Sequence, residues 1–257
     1  MNKKIIKILK KKNRSKIVSL TAYSKNVAQI IDKYCDIVLV GDSMANVLYG
    51  HKDTHKISLQ NIIQHTLSVK KGIKKSLLVV DMPKGSYSNK KLALKNARKV
   101  INLTRCDAVK IESNNKNFSI IYELVKAKIP VMGHIGFTPQ FQKKFKIQGD
   151  SINAINKLLK EALTIEKAGA FSIVLECLTP KASKLITNNL KIPTIGIGSS
   201  SNCDGQILVT DDMLGISGFY PKFVKKYASL NSIIEKAVKK YTRDVKKGKF
   251  PLKKKLS

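Results

Sequence analysis

A regular alternation of buried strands and amphipathic helices is the feature that most restricts how this chain can fold. Apolar runs of about four to eight residues, each bounded by turn-forming residues, predict fully buried strands. Seven runs are regular: IVSLTAY from Ile17, IVLVGDS from Ile37, LLVVDMP from Leu77, AVKIES from Ala108, PVMGHIG from Pro130, FSIVLEC from Phe171 and TIGIGSS from Thr194. An eighth run, QILVTDDMLGI from Gln206, is a less regular candidate because charged residues interrupt it.

The segments between these runs have helical periodicity. NKKLALKNARKVINL places apolar residues three and four apart, with lysines on the opposite face. SINAINKLLKEALTIEKAGA repeats the pattern, with Ser151 as the expected N-cap and Gly169 as the stop. Such alternation covers both faces of a parallel sheet, and 257 residues suit one large core. We therefore predict a single (β/α)8 TIM barrel domain over residues 1–257, with an open doubly wound sheet as the alternative.

The pattern changes after Gly218. The segment FVKKYASLNSIIEKAVKKYTRDVKKGKFPLKKK indicates one or two helices followed by a basic tail. We expect a helical extension from about residue 219 that packs on the barrel or on a neighbouring subunit. The tail itself is interpreted as a solvated chain end.

The charge of +32, from 49 Lys and Arg against 17 Asp and Glu, suggests nucleic acid or an anionic membrane as a partner. However, only four of the basic residues are arginines, and the lysines extend from Lys3 to Lys255. Proteins that read bases depend on arginine and on stacking aromatic side chains. We interpret the abundance of Lys, Ile and Asn as the codon bias of an AT-rich genome, with functional polyanion contact as the alternative. Nucleic acid is not an expected partner.

Cysteine spacing and hydropathy bear on the cellular compartment. The four cysteines are far apart and form no CxxC pair, which argues against zinc and disulfide frameworks. The N-terminal segment MNKKIIKILKKKNRSK has too short an apolar stretch for a signal peptide, and no run approaches the roughly 20 apolar residues that span a bilayer. We therefore predict a cytoplasmic protein without membrane association.

Acidic residues stand at the carboxyl ends of four predicted strands. In a (β/α)8 barrel these ends share one rim, where active sites are built. We therefore expect the four acids to face one mouth, although each alone could be a strand-end cap or a surface ion pair. They are Asp42 after IVLVG, Asp81 after LLVV, Glu112 after AVKI and Glu176 after SIVL.

Clustered carboxylates repel one another, so they become protonated or share a cation. Mg²⁺ takes carboxylate oxygens while keeping positions for water and substrate. Asp42, Asp81 and Glu112 are the candidate ligands. Lys110 lies two residues before Glu112 and therefore faces the same side of its strand, where it can hold a substrate carboxylate or a developing oxyanion.

Other polar residues near the rim give weaker signals. His134 in GHIG is either a core histidine or a substrate contact. His51 and His55 in HKDTH are four residues apart, like metal ligands, but they lack helical context, so we expect loop roles. The glycine-rich GIGSS does not by itself predict a phosphate site.

Seven ordered segments resemble one enzyme family. VGDS, DMP, VKIE, GHIGFTPQ, VLEC, IPTIGIGSSSNCDGQILV and PKF are similar to signature segments of ketopantoate hydroxymethyltransferases (3-methyl-2-oxobutanoate hydroxymethyltransferases), from about Thr21 to Phe223. The resemblance implies a barrel of the phosphoenolpyruvate mutase/isocitrate lyase superfamily, assembled as a homodecamer, a pentamer of dimers. It also implies hydroxymethyl transfer from 5,10-methylenetetrahydrofolate to 3-methyl-2-oxobutanoate, which gives 2-dehydropantoate in pantothenate and coenzyme A biosynthesis.

The resemblance also implies a mechanism through an Mg²⁺-stabilised enolate. Mg²⁺ held by the keto and carboxylate oxygens acidifies the C3 proton, Glu176 removes it, and the enolate attacks the folate methylene group. Burial should raise the pKa of Glu176. Carried over by motif, the implied roles are metal and substrate contact for Asp42 and Asp81, metal contact for Glu112, substrate contact for Ser43 and Lys110, and catalytic base for Glu176.

The departures from the family pattern spare the residues with assigned roles. They concern folate-side contacts, loop closure and efficiency rather than the reaction class. They are Ser24 after TAY, Met44 and Ala45 in VGDSMA, Lys84 in DMPK, Ser113 and Asn114 after VKIE, and Asp150 in QGD.

Two other functions are the alternatives. One is a different superfamily enzyme that makes or breaks a carbon bond beside an Mg²⁺-bound 2-oxo acid. The other is a lysine-rich nucleic-acid-binding protein, which predicts a steep salt dependence and no need for Asp42. The ordered GHIGFTPQ and DGQILV segments favour the transferase.

Overall fold

In the computed structural model, which describes residues 2–113, 117–142, 145–218 and 220–251, eight parallel strands close into a barrel. Each strand pairs with the next in chain order, and β8 pairs with β1. The strands are β1 (Ile17–Thr21), β2 (Ile37–Val40), β3 (Leu77–Asp81), β4 (Ala108–Glu112), β5 (Val131–Gly136), β6 (Ser172–Glu176), β7 (Thr194–Ile197) and β8 (Gly205–Leu208). The closed barrel confirms the predicted fold class and all eight strands.

Helices connect the strands and continue beyond the barrel. A 3-10 helix, Thr54–Lys56, lies between the third and fourth of them. The helices of the described residues are α1 (Lys3–Lys10), α2 (Lys25–Ile31), α3 (Met44–Val47), α4 (Leu59–Lys70), α5 (Lys90–Thr104), α6 (Phe118–Lys126), α7 (Ile152–Lys167), α8 (Pro180–Asn189), α9 (Thr210–Leu214) and α10 (Leu230–Lys246). Ser151 caps α7 as predicted, because its Oγ accepts the N–H of Ala154 at 3.3 Å.

The strands separate two apolar cores. Alternate strand residues such as Leu77 and Val79 face the barrel interior, while their neighbours Leu78 and Val80 pack beneath the helices. Both faces of β3 are therefore buried, which is why its sequence is continuously apolar up to Asp81.

Helix α1 provides apolar side chains to the barrel interior. Ile5 and Ile8 are 1% and 3% exposed and join the inner core with Ile17 and Ile37, at the first residues of β1 and β2. The N-terminal segment, which reads as a basic and interrupted stretch, thus contributes to the core at the end of the barrel opposite to the strand-end acids.

Lysines near α1 bind aspartates that stand immediately before strands. Each aspartate also accepts a backbone N–H from a preceding strand, so the ion pairs link α1 to the sheet. The pairs are Lys4 with Asp107 at 3.3 Å, Lys11 with Asp36 at 2.6 Å and Lys12 with Asp204 at 2.8 Å. Part of the lysine content therefore has a structural role.

The chain forms two compact units, Met1–Val209 and Thr210–Ser257, and the whole barrel lies in the first. In the second unit, α10 presents Ile233, Val238 and Tyr241 with more than half of each side chain exposed. Residues 252–257 of the predicted basic tail lie outside the described residues. In the described part of the chain, no helix has the length and apolar character that crossing a bilayer requires. The packing of the extension stays a prediction.

Candidate active site

The four strand-end acids belong to one connected cluster at the carboxyl ends of β2, β3, β4 and β6. The backbone N–H of Asp42 donates to Oδ2 of Asp81 at 3.1 Å. Nδ1 of His134 lies 3.7 Å from Oε1 of Glu112, and its Nε2 lies 3.1 Å from Oε2 of Glu176. The structure thus brings together the acids that sequence reasoning placed at one mouth.

A tight turn lets Asp42 reach this cluster directly after β2. A Cβ on Gly41 would lie 2.8 Å from Oγ of Ser43 and 3.5 Å from Oδ2 of Asp81. Because the first of these separations is too short for two heavy atoms, glycine is the residue that fits between the strand and the acid. The hydroxyl of Ser43 lies 2.8 Å from that of Tyr23, and this bond holds it at the rim.

Lys110 is the buried cation of the cluster. Its ammonium forms an ion pair with Oδ1 of Asp81, and both side chains are at most 6% exposed. Burial by itself lowers the pKa of Lys110, but the carboxylates of Asp81, Glu112 and Asp42 outweigh it and raise that pKa. Lys110 is therefore charged, and it shares the interior with Glu112 as the strand alternation predicts.

Acidic groups outnumber basic groups in this cluster, and their charged forms are unfavourable. Burial and the charge of Asp81 raise the pKa of Asp42 to about 7, although Lys110 opposes them. Burial and the charge of Asp42 likewise raise the pKa of Glu112 well above its usual value. Within the described residues, four carboxylates thus face the single ammonium of Lys110. A further cation would relieve this excess.

Glu176 is the most accessible of the acids. Its side chain is 17% exposed, whereas those of Asp81 and Glu112 are 3% and 1% exposed. Burial raises the pKa of Glu176 to about 8, with Lys110 opposing and Asp81 reinforcing the shift. A carboxylate in this state suits proton transfer near neutral pH.

His134 is an uncharged imidazole between two acids. Burial, followed by the charge of Lys110, lowers its pKa well below the usual value. Neither ring nitrogen makes a well-aligned hydrogen bond with another described residue. Its neighbours are Glu112 and Glu176 rather than apolar core residues. Contact with substrate stays a prediction.

Sequence reasoning did not single out Gln140 and Tyr87. The Gln140 amide nitrogen donates to Oδ2 of Asp42 at 2.8 Å, and its backbone N–H donates to Oε2 of Glu112 at 3.0 Å. The hydroxyl of Tyr87 donates to Oε1 of Gln140 at 2.5 Å. The available signal was the final residue of the GHIGFTPQ segment, which follows β5 at the rim.

Two departures from the family pattern, Lys84 and Asp150, contact residues other than the site acids. Lys84 lies 3.2 Å from the ring of His55, whose Nε2 lies 3.0 Å from the carbonyl oxygen of Pro139, so His55 connects two rim loops. Asp150 forms an exposed ion pair with Lys146. His55 therefore has the loop role expected for it.

Of three more departures, the structure describes Ser24 and Ser113. Ser24 occupies the N-cap position of α2 without a side-chain cap bond. The hydroxyl of Ser113 is buried and finds no hydrogen-bond partner among the described residues. Asn114 lies outside the described residues.

The acids of the cluster offer oxygen ligands to a divalent cation. Carboxylate oxygens are the ligands that Mg²⁺ prefers, and a cation would stabilise the charged forms of these acids. In the described ranges, however, no three His, Cys, Asp or Glu side chains converge closely enough to hold a metal by themselves. Mg²⁺ typically takes one or two carboxylates and completes its shell with water and substrate. The cluster is compatible with Mg²⁺, and the ligand set Asp42, Asp81 and Glu112 stays a prediction.

The fold resembles that of solved (β/α)8-barrel proteins. A solved 2,3-dimethylmalate lyase, a PEP mutase/isocitrate lyase superfamily member, has a TM-score of 0.63 at 13% identity, covering 100% of this chain and 93% of that one. Phosphoenolpyruvate phosphomutase from Streptomyces platensis subsp. rosaceus has a TM-score of 0.64 at 11% identity, covering 95% and 87%. The protein thus belongs, by its fold, to the class of (β/α)8 barrels that these structures represent.

Sequence comparisons identify the family. Residues 2–253 match the ketopantoate hydroxymethyltransferase family, and the chain belongs to it. It is 52% identical over 254 residues to 3-methyl-2-oxobutanoate hydroxymethyltransferase of Pelagibacter ubique (strain HTCC1062), covering 99% of both chains. It is 45% identical over 250 residues to the enzyme of that name from Anaplasma marginale (strain St. Maries), covering 96% of this chain and 90% of the relative. The predicted family and transferase class are confirmed.

Proposed function

We propose that this enzyme transfers a hydroxymethyl group from 5,10-methylenetetrahydrofolate to 3-methyl-2-oxobutanoate, giving 2-dehydropantoate (ketopantoate) for pantothenate and coenzyme A biosynthesis. The observation that carries the proposal is the cluster in which Asp42, Asp81, Glu112 and Glu176 face the buried ammonium of Lys110. Curated relatives that cover almost the whole chain bear the name of this activity.

Mg²⁺ is the proposed cofactor, with Asp42, Asp81 and Glu112 as its carboxylate contacts. When bound, Mg²⁺ would withdraw electron density from the keto and carboxylate oxygens of the substrate and so acidify its C3 proton. The protein supplies clustered carboxyl groups at this end of the barrel, and a divalent cation would stabilise their charged forms.

Glu176 is the proposed general base. It is the most accessible carboxylate of the cluster, and its pKa of about 8 makes it a stronger base than an ordinary carboxylate. Its carboxylate takes the C3 proton, and the carbon nucleophile that results bonds to the methylene carbon of the folate as one C–N bond breaks and that nitrogen takes up a proton. Water then supplies the hydroxyl group as the second C–N bond breaks, and tetrahydrofolate leaves. Neutral His134, 3.1 Å from Oε2 of Glu176, limits the directions in which this carboxylate can point.

Lys110 and Ser43 are proposed to orient the oxo acid. The Lys110 ammonium remains charged inside the barrel and is available to a substrate carboxylate or oxyanion, while Asp81 fixes its position. The hydroxyl of Ser43 is held by Tyr23 and can donate to an acid oxygen at the rim. The homodecameric assembly stays a prediction from the family resemblance, and the cytoplasmic location stays a prediction from cysteine spacing and hydropathy.

The test is an assay of product formation. The protein is incubated with 3-methyl-2-oxobutanoate and 5,10-methylenetetrahydrofolate, with Mg²⁺ or with EDTA, and ketopantoate is measured by mass spectrometry. We expect ketopantoate with Mg²⁺ and its loss with EDTA, with Asp42→Ala inactive under both conditions. Equal turnover by Asp42→Ala would contradict the metal assignment, and absence of ketopantoate from the wild type would contradict the proposed function.

A further inference from the structure

We propose that Gln140 is a positioning residue that sets the relative placement of the Asp42 and Glu112 carboxylates, and that Tyr87 fixes the orientation of its amide. This inference rests on the proposed function, because both carboxylates are candidate contacts of the divalent cation. It assigns to the loop after β5 a task in building the cation site.

The geometry joins the ends of two strands through one residue. Gln140 donates through its side chain to Oδ2 of Asp42 at 2.8 Å and through its backbone to Oε2 of Glu112 at 3.0 Å. Asp42 follows β2 and Glu112 is the last residue of β4, and these strands are not adjacent in the sheet because β3 lies between them. The sheet alone therefore does not fix the distance between the two carboxylates, and the bonds from Gln140 do.

The amide of Gln140 has a defined orientation. Its nitrogen makes a second bond to the carbonyl oxygen of Met82 at 3.0 Å, and its oxygen accepts from Tyr87 at 2.5 Å. These two bonds place the amide nitrogen toward Asp42, because the carbonyl oxygen of Met82 can only accept a hydrogen bond and the hydroxyl of Tyr87 donates one. Gln140 is 0% exposed and Tyr87 is 3% exposed, so water does not compete for these bonds.

A neutral donor suits this position electrostatically. A lysine or arginine in place of Gln140 would neutralise Asp42 and weaken its attraction for a divalent cation. Gln140 instead occupies one oxygen of Asp42 through its side-chain amide and one of Glu112 through its backbone N–H, without adding charge. The second oxygen of each carboxylate takes no part in these bonds. Partners of this kind, which orient metal ligands, are typically worth about 10–100-fold in metal affinity.

Three variants separate positioning from simple packing. Gln140→Met keeps a similar volume and the backbone N–H that bonds to Glu112 but removes the side-chain donors to Asp42 and Met82, and Tyr87→Phe removes only the hydroxyl. Gln142→Met is the matched control, because Gln142 lies on the same loop and bonds to Gly136 and Thr138 rather than to the site acids. The dissociation constant for Mn²⁺ is measured by electron paramagnetic resonance, and the melting temperature is recorded beside it.

We expect Gln140→Met to weaken Mn²⁺ binding about 10–100-fold, Tyr87→Phe about 3–10-fold, and Gln142→Met less than about 2-fold. Unchanged Mn²⁺ affinity in folded Gln140→Met, or an equal loss in Gln142→Met, would overturn the inference. If Gln140→Met does not fold, the Mn²⁺ affinity of Tyr87→Phe is the test, and an affinity equal to that of the wild type overturns the inference. Failure of the wild type to bind Mn²⁺ would instead contradict the proposed function, and the positioning role with it.

Discussion

Replacing Asp204 with alanine removes an acceptor that joins the N-terminal segment to β7 and β8. The Asp204 carboxylate is 5% exposed and forms an ion pair with Lys12 at 2.8 Å. It also accepts the backbone N–H of Thr194 at 2.9 Å and the Thr194 hydroxyl at 3.0 Å. Alanine therefore leaves a buried ammonium and a buried N–H without this partner.

The expected cost follows from these contacts. Breaking a buried ion pair on one side typically costs about 3–5 kcal/mol, and each kcal/mol lowers the melting temperature of a chain of this size by about 2–4 °C. We expect Asp204→Ala to lose at least about 3 kcal/mol of unfolding free energy in urea and to melt about 10 °C lower. The control is Asp150→Ala, which breaks the exposed pair with Lys146 and should cost less than about 1 kcal/mol.

A double-mutant cycle with Lys12→Met tests the pairing directly. We expect the effects of Asp204→Ala and Lys12→Met on the unfolding free energy to be coupled by more than about 1 kcal/mol. Each substitution leaves the other charged side chain buried without its opposite charge. A loss for Asp204→Ala no larger than that for Asp150→Ala, or additive effects in the cycle, would refute the assigned role.

Two further predictions concern stability. Burial alone would raise the pKa of the Asp32 carboxyl, but backbone N–H groups of residues 74–76 outweigh it and lower the pKa below 3.8. The resulting stabilisation of the fold is present above the pKa of Asp32 in the unfolded chain and is lost as pH falls through its pKa in the folded chain. Asp32→Asn should therefore lower the unfolding free energy in urea by about 1.5–3 kcal/mol at pH 7 and by progressively less below pH 4. A difference between Asp32→Asn and wild type that does not depend on pH would contradict this. Gly136 has φ +95°, and an added Cβ would lie 2.2 Å from the carbonyl oxygen of Glu176, so Gly136→Ala should cost roughly 2–4 kcal/mol. The control Gly85→Ala, at φ +83° with open space around it, should cost less, and equal melting temperatures for the two variants would argue against the clash.

The sequence predicts the barrel and the placement of its acids because both depend on simple periodicities. Strand alternation places Lys110 and Glu112 on one face, and parallel strands bring Asp42, Asp81 and Glu112 to one rim. These relations need no knowledge of loop paths, so they could be predicted without coordinates.

Loop paths and long-range ion pairs could not be predicted in this way. The bond between Gln140 and Asp42 joins residues 98 positions apart, through a loop whose course the sequence pattern does not define. The sequence shows the N-terminal lysines only as a basic stretch, although Lys4 and Lys12 pair with acids more than 100 residues away. Such pairings are selected by tertiary geometry rather than by local pattern.

The most direct measurement of the central claim is exchange of the C3 proton of 3-methyl-2-oxobutanoate for deuterium, followed by NMR in D₂O with Mg²⁺. The wild type should accelerate exchange, whereas Glu176→Gln should bind the oxo acid and leave exchange at the rate seen without enzyme. Exchange by Glu176→Gln at the wild-type rate would contradict the account, because some group other than the Glu176 carboxylate would then remove the proton.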